Sequence, residues 1–87
     1  MNNFEDLYAI IESRKNERPE GSGTVKELDS GIHGIGKKIV EEAAEVWMAC
    51  EHESEEAAKI EMSQLIYHLQ VMMVAKGFKP EDIYAHM

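Results

Sequence analysis

The stretch from Ile35 to Ala49, IGKKIVEEAAEVWMA, decides the fold. Along it Ile35, Ile39, Glu42, Val46 and Ala49 step by 4, 3, 4 and 3 residues. At about 100° per residue these positions form one face of a helix. Glu42 stands on that face where the period calls for a core residue. A second stretch, Ala58 to Met72 (AKIEMSQLIYHLQVM), repeats the arrangement: Ala58, Glu61, Leu65, His68 and Met72 step by 3, 4, 3 and 4. An ionised carboxylate on a buried stripe is costly unless it is paired or holds a cation. Each stripe carries a further polar group three residues on, Glu45 and Gln64. Two such helices packed face to face make an oxygen cage of the kind that holds a hard divalent metal in a helical bundle. The candidate ligands are therefore Glu42, Glu45, Glu61 and Gln64. Glu51, Glu53, Glu55 and Glu56 read instead as a solvated charged face.

Outward from this pair, Phe4, Leu7, Tyr8 and Ile11 share one face of a helix expected from about Asn3 to Glu17, with Arg14, Lys15 and Arg18 at its C-terminal end. Pro19-Glu20-Gly21-Ser22-Gly23 breaks the pattern as a loop. Thr24, with Glu27 three residues on, predicts a capping box for a short turn from Val25 to Asp29 that Gly31 ends. The long helices are expected over Ile32 to Glu51 and from Ser54 to Lys76, the second stopping at Gly77. Lys79-Pro80-Glu81-Asp82 opens a last short helix. No segment reads as a strand, and the reading is one all-α domain over residues 1–87.

A chain of this length buries only roughly 60–65% of its unfolded surface. Between Leu65 and Ala75 the apolar residues point nearly all round the helix axis, a pattern that demands burial on every side. Such a helix predicts a homodimer or a larger even-numbered assembly. The net charge of −8 and the absence of a basic stripe argue against nucleic acid as a partner. No apolar run approaches the roughly eighteen residues of a membrane span, and Met1 to Asp6 is acidic without an apolar leader, which predicts a soluble cytoplasmic protein. The lone Cys50 has no partner for an internal disulfide and is expected to be a core thiol. Gly31-Ile32-His33-Gly34-Ile35-Gly36-Lys37-Lys38 imitates a P-loop but has Lys38 where Ser or Thr is needed, and no strand precedes it. His68 reads as a packed histidine bonded to a neighbour, since hard oxygen sites seldom recruit imidazole.

The pattern E-E-x-x-E, a spacer, then E-x-x-D on the next helix resembles that of the all-α nucleoside triphosphate pyrophosphohydrolases, a MazG-like bundle of four to five helices completed by dimerisation. Nearly the whole chain is similar to the phosphoribosyl-ATP pyrophosphatase family. Arg14-Lys15, Pro19, Ser22-x-Thr24-x-x-x-Leu28, Gly31, Lys38, Glu41-Glu42-x-x-Glu45 and Leu65-Ile66-Tyr67-His68 carry the likeness, with Gly77-x-x-x-Glu81-Asp82-Ile83 at the end. The chain departs from the pattern at Gln64, where the family has Asp; Gln offers one neutral amide oxygen and no charge.

The resemblance implies hydrolysis of phosphoribosyl-ATP to phosphoribosyl-AMP and pyrophosphate, the second step of histidine biosynthesis, with Mg2+ held by the carboxylates. It also implies phosphate contacts from Lys38 and from Arg14 or Lys15, with Ser22 and Thr24 beside phosphate or ribose. Glu41 and Glu45 are both candidates to orient the attacking water. Two other readings stay open: a house-cleaning hydrolase of free nucleoside triphosphates, and a non-catalytic dimeric helical module.

Overall fold

A computed structural model describes residues 1–87. It is all-helical: α1 (Phe4–Glu17), α2 (Gly23–Asp29), α3 (Gly31–His52), α4 (Glu55–Lys76) and α5 (Pro80–Tyr84). α3 and α4, 22 residues each, are joined through Glu53 and Ser54 alone, so they run antiparallel as one long hairpin. Ser54 starts α4 by accepting the Ala57 N–H at 3.1 Å, with Glu55 and Glu56 in the first turn where the helix dipole favours acids. Gly77 ends it in the left-handed region (φ 75°), and the Phe78 N–H returns to the Met73 carbonyl at 2.9 Å.

α1 begins with a reciprocal cap. The Asn3 side chain accepts the Asp6 N–H at 2.8 Å, and the Asp6 carboxylate accepts the Asn3 N–H at 3.1 Å. Tyr8 and Ile11 then pack with Ile35, Val71, Met73 and Val74 as the buried core. That core occupies one end of the hairpin, where the start of α3 meets the end of α4. The link from α4 to α5 folds back onto α1: the Tyr8 hydroxyl donates to the Phe78 carbonyl at 2.8 Å, and Lys79 pairs with Glu12 at 2.9 Å.

Both predicted stripes face inward. Ile35 and Ala49 are buried, and Ile39, Glu42 and Val46 are half-buried between them; Ala58, Glu61, Leu65, His68 and Met72 are half-buried opposite. Three expectations need correction. Ser22, not Thr24, caps α2, accepting the Val25 N–H at 3.2 Å. Gly31 does not end that turn; with φ 77° it forms the elbow from which α3 starts directly. Cys50 is exposed, because Ala49 takes the inward position and the next residue is turned about 100° away. As the all-round apolar pattern of α4 implied, its sides are not all covered within one chain: Met62, Ile66 and Leu69 are 45, 42 and 45% exposed. The residues that imitated a P-loop form the first turns of α3, a helix and no loop.

Candidate active site

Glu42 and Glu45 sit one turn apart on α3, and the antiparallel register brings Glu61 of α4 to meet them. One carboxylate oxygen from each lies within 4.8 Å of the others. Glu42 and Glu61 are half-buried and Glu45 is exposed, so the cluster opens to solvent on one side. Oε2 of Glu42 and Oε2 of Glu61 are buried without a hydrogen-bond partner. Buried polar atoms are normally satisfied, and two orphaned acceptors in one acidic cluster fit a hard cation that prefers carboxylate oxygen. The neighbouring Glu45 carboxylate first, then burial, then the Glu42 carboxylate push the Glu61 carboxyl up to about 7.

His68 lies behind the cluster, bonded through Nδ1 to Glu27 at 2.7 Å, in keeping with its reading as a packed histidine. One residue earlier on α4, the Tyr67 hydroxyl bonds Thr24 of α2 at 2.5 Å. Burial raises the Tyr67 phenol above its ordinary range, with Thr24 pulling the other way, so the hydroxyl stays protonated. α2 has no buried residue of its own. These two polar contacts and Leu28, packed against the core, hold it to the hairpin.

Beside the cluster, α2 and the start of α3 enclose a cleft of about 440 Å³. Lys26, Lys37 and Lys38 line it with Ser30, Gly23, Gly34, Glu27 and Glu41. Lys38 stands 3.7 Å from Glu41, both more than half exposed, a pair that contributes little to stability. Three lysines, Lys26 from α2 and Lys37 and Lys38 from α3, suit an anionic ligand.

The structure therefore brings together Glu42, Glu45 and Glu61, and sets Lys38 and Glu41 in the adjoining cleft. Gln64 is exposed one turn beyond Glu61. Ser22 is engaged in capping and Thr24 in its bond to Tyr67. Arg14 and Lys15 lie at the far end of α1. Lys15 reaches the Val74 carbonyl at 3.5 Å, and at about 1.5 Å per residue Val74 lies roughly 20 Å along α4 from Glu61. Sequence reading passed over Lys26, Lys37 and Glu27. Glu27 had been assigned to a local cap, which hid its long-range bond; the pair Lys37-Lys38 offered a signal for the cleft.

A family model described as phosphoribosyl-ATP pyrophosphohydrolase matches residues 4–87. The chain belongs to this family. As a phosphoribosyl-ATP pyrophosphohydrolase family member it is an enzyme, a hydrolase acting on a phosphoanhydride bond of a small nucleotide substrate, and its pathway is histidine biosynthesis. No helix is long and apolar enough to cross a membrane.

Proposed function

We propose that this chain cleaves phosphoribosyl-ATP between its α and β phosphates, releasing phosphoribosyl-AMP and pyrophosphate in the second step of histidine biosynthesis, with Mg2+ held by Glu42, Glu45 and Glu61. The observation that carries the metal reading is the convergence of these three carboxylates, two of them with buried, partnerless oxygens. When bound, magnesium neutralises charge on the triphosphate oxygens and makes the phosphorus a better electrophile.

The remaining work falls to side chains of the cleft. Lys38, with Lys37 beside it on α3 and Lys26 from α2, holds phosphate oxygens by charge-assisted hydrogen bonds. Glu45 of the cluster and Glu41, four residues before it, are both exposed, and either carboxylate can accept a proton from the attacking water. Gln64 reaches the cluster through its amide oxygen or donates to a ligand water. Ser22 and Thr24 flank Gly23, a cleft residue, and would meet a phosphate or ribose from there. Arg14 and Lys15 would contact a phosphate only from a different subunit of an assembly, given the place of Lys15 at the end of α4.

The working form we propose is a cytoplasmic homodimer. Only 9 of 87 residues are buried, and the chain exposes 6045 Å². A monomer of this mass ordinarily exposes roughly 5,200 Å². Much of the excess is apolar: Val40, Trp47 and Met48 on α3, and Met62, Ile66 and Leu69 on α4.

Pyrophosphate release from phosphoribosyl-ATP, with ATP and deoxynucleotides in parallel and with or without magnesium, tests the reading. Magnesium-dependent release confined to phosphoribosyl-ATP is the expected result. Release from the ordinary nucleotides alone would replace the substrate, and magnesium-independent release would remove the metal.

A further inference from the structure

Phosphoribosyl-ATP differs from ATP only in its ribose phosphate arm, so an enzyme that cleaves the first and ignores the second must touch that arm. Discrimination between two ligands comes from groups that meet the part in which they differ. The cleft beside the carboxylate cluster has the make-up for such a contact. Gly34, Lys38, Glu41 and Glu45 step by 4, 3 and 4 residues, one face of α3, so the cleft runs along the helix toward the cluster at Glu45. In the other direction it reaches Ser30 and then Lys26 of α2, whose carbonyl accepts the Ser30 N–H at 3.1 Å. At about 1.5 Å per residue, Gly34 lies roughly 16 Å along the axis from Glu45. A triphosphate, its phosphorus atoms joined through single bridging oxygens, is too short to fill that length from the cluster. Lys37 is turned about 100° from Lys38, away from the Glu42 side of the helix.

No apolar side chain lines this cleft. A purine ring finds no face to stack on there, whereas sugar hydroxyls and phosphate oxygens find hydrogen-bonding partners. The two carboxylates that line it are already engaged: Glu27 bonds His68 at 2.7 Å, and Glu41 stands 3.7 Å from Lys38. Lys26 and Lys37, both exposed, have no carboxylate within 4.0 Å, in a chain whose acidic residues outnumber its basic ones by 17 to 9. A phosphate monoester carries about −1.5 to −2 charges at pH 7, which two free lysines neutralise. We propose that Lys26 and Lys37 are specificity-determining residues: they hold the phosphate of the ribose arm on the side of the cleft away from the cluster, while Lys38 serves the triphosphate. The assignment rests on the reading of phosphoribosyl-ATP as substrate and of Glu42, Glu45 and Glu61 as the metal site. It makes α2, which has no buried residue of its own, an element that reads the substrate.

The two products divide the substrate between them and serve as probes: phosphoribosyl-AMP keeps the arm, and pyrophosphate keeps the metal-bound end. Inhibition of phosphoribosyl-ATP cleavage by each, with magnesium present, is measured on wild type, Lys26→Gln, Lys37→Gln and Lys38→Gln. Loss of one charge-assisted contact corresponds to about a 10- to 100-fold weaker ligand. The expected result is that Lys26→Gln and Lys37→Gln weaken phosphoribosyl-AMP by that factor and leave pyrophosphate at its wild-type constant. Lys38→Gln should weaken pyrophosphate. Far-UV circular dichroism checks that each variant is folded, and all three positions are exposed. A general loss of positive field would weaken both products alike in Lys26→Gln and Lys37→Gln, and that outcome overturns the proposal. An unchanged phosphoribosyl-AMP constant in those two variants overturns it as well. In both cases the wild type still cleaves phosphoribosyl-ATP with magnesium, so the substrate reading stands without the arm's site. A wild type that releases pyrophosphate from ATP and not from phosphoribosyl-ATP would remove both.

Discussion

Glu61 meets two other carboxylates at a half-buried point, and its pKa of about 7 is the result of their closeness and of burial. The ordinary value is 4.5, so between roughly 4.5 and 7 the folded chain holds a proton that the unfolded chain releases. The linked stability is complete below the unfolded value and is lost as pH rises through the folded one. Calorimetric melts of the metal-free protein should show the unfolding temperature falling between pH 5 and pH 8 more steeply in wild type than in Glu61→Gln. Equal slopes would mean that another group carries the proton. Glu61→Gln should also abolish magnesium-dependent turnover, with helicity retained. At Gln64 the change is the opposite one: Gln64→Asp adds a charge one turn from Glu61 and should tighten magnesium binding by isothermal titration without altering the reaction. An unchanged affinity would place Gln64 outside the ligand set.

At the scale of elements, the two long helices were legible because each stripe runs through fifteen residues with one period, and their charged exceptions fell on the same faces. α2 was harder to read. Its seven residues bury nothing, and its ties to the rest are polar side-chain contacts across 41 and 43 residues of sequence, which leave no local pattern. Ser22 and Thr24 both have the chemistry of a cap, so the helix start was misplaced by two residues. Cys50 failed for a simpler reason: the inward face of α3 narrows to a single small residue, Ala49, near its end. The stop of α4 was plain from Gly77 alone. Gly77→Ala should destabilise the fold by about 1 kcal/mol or slightly more, because an L side chain is strained at φ 75°. Urea melts monitored by circular dichroism measure this, and no loss at all would mean that the cap relaxes freely.

For the whole molecule, the exposed apolar faces of α3 and α4 are a larger fact than the core. Leu69→Lys places a charge on one of those faces at a position 45% exposed in the single chain. It should leave the isolated fold nearly as stable as before. In sedimentation equilibrium it should shift the mass from about twice 9.9 kDa to 9.9 kDa. A wild-type chain already at the lower mass would dismiss the dimer. The two-residue link between α3 and α4 carries a different consequence, one for descent. With so short a connection the hairpin works like a vernier, in which Glu42 and Glu61 align only at one setting. Each residue inserted or deleted within either helix, between those two positions, swings one carboxylate about 100° away from the other. Drift in this segment is therefore confined to exchange of letters at constant spelling length, while the Pro19–Gly21 loop and the stretch after Tyr84 are free to lengthen. A library of single-codon insertions, selected for growth without histidine, should come back empty between 42 and 61 and populated at those two places.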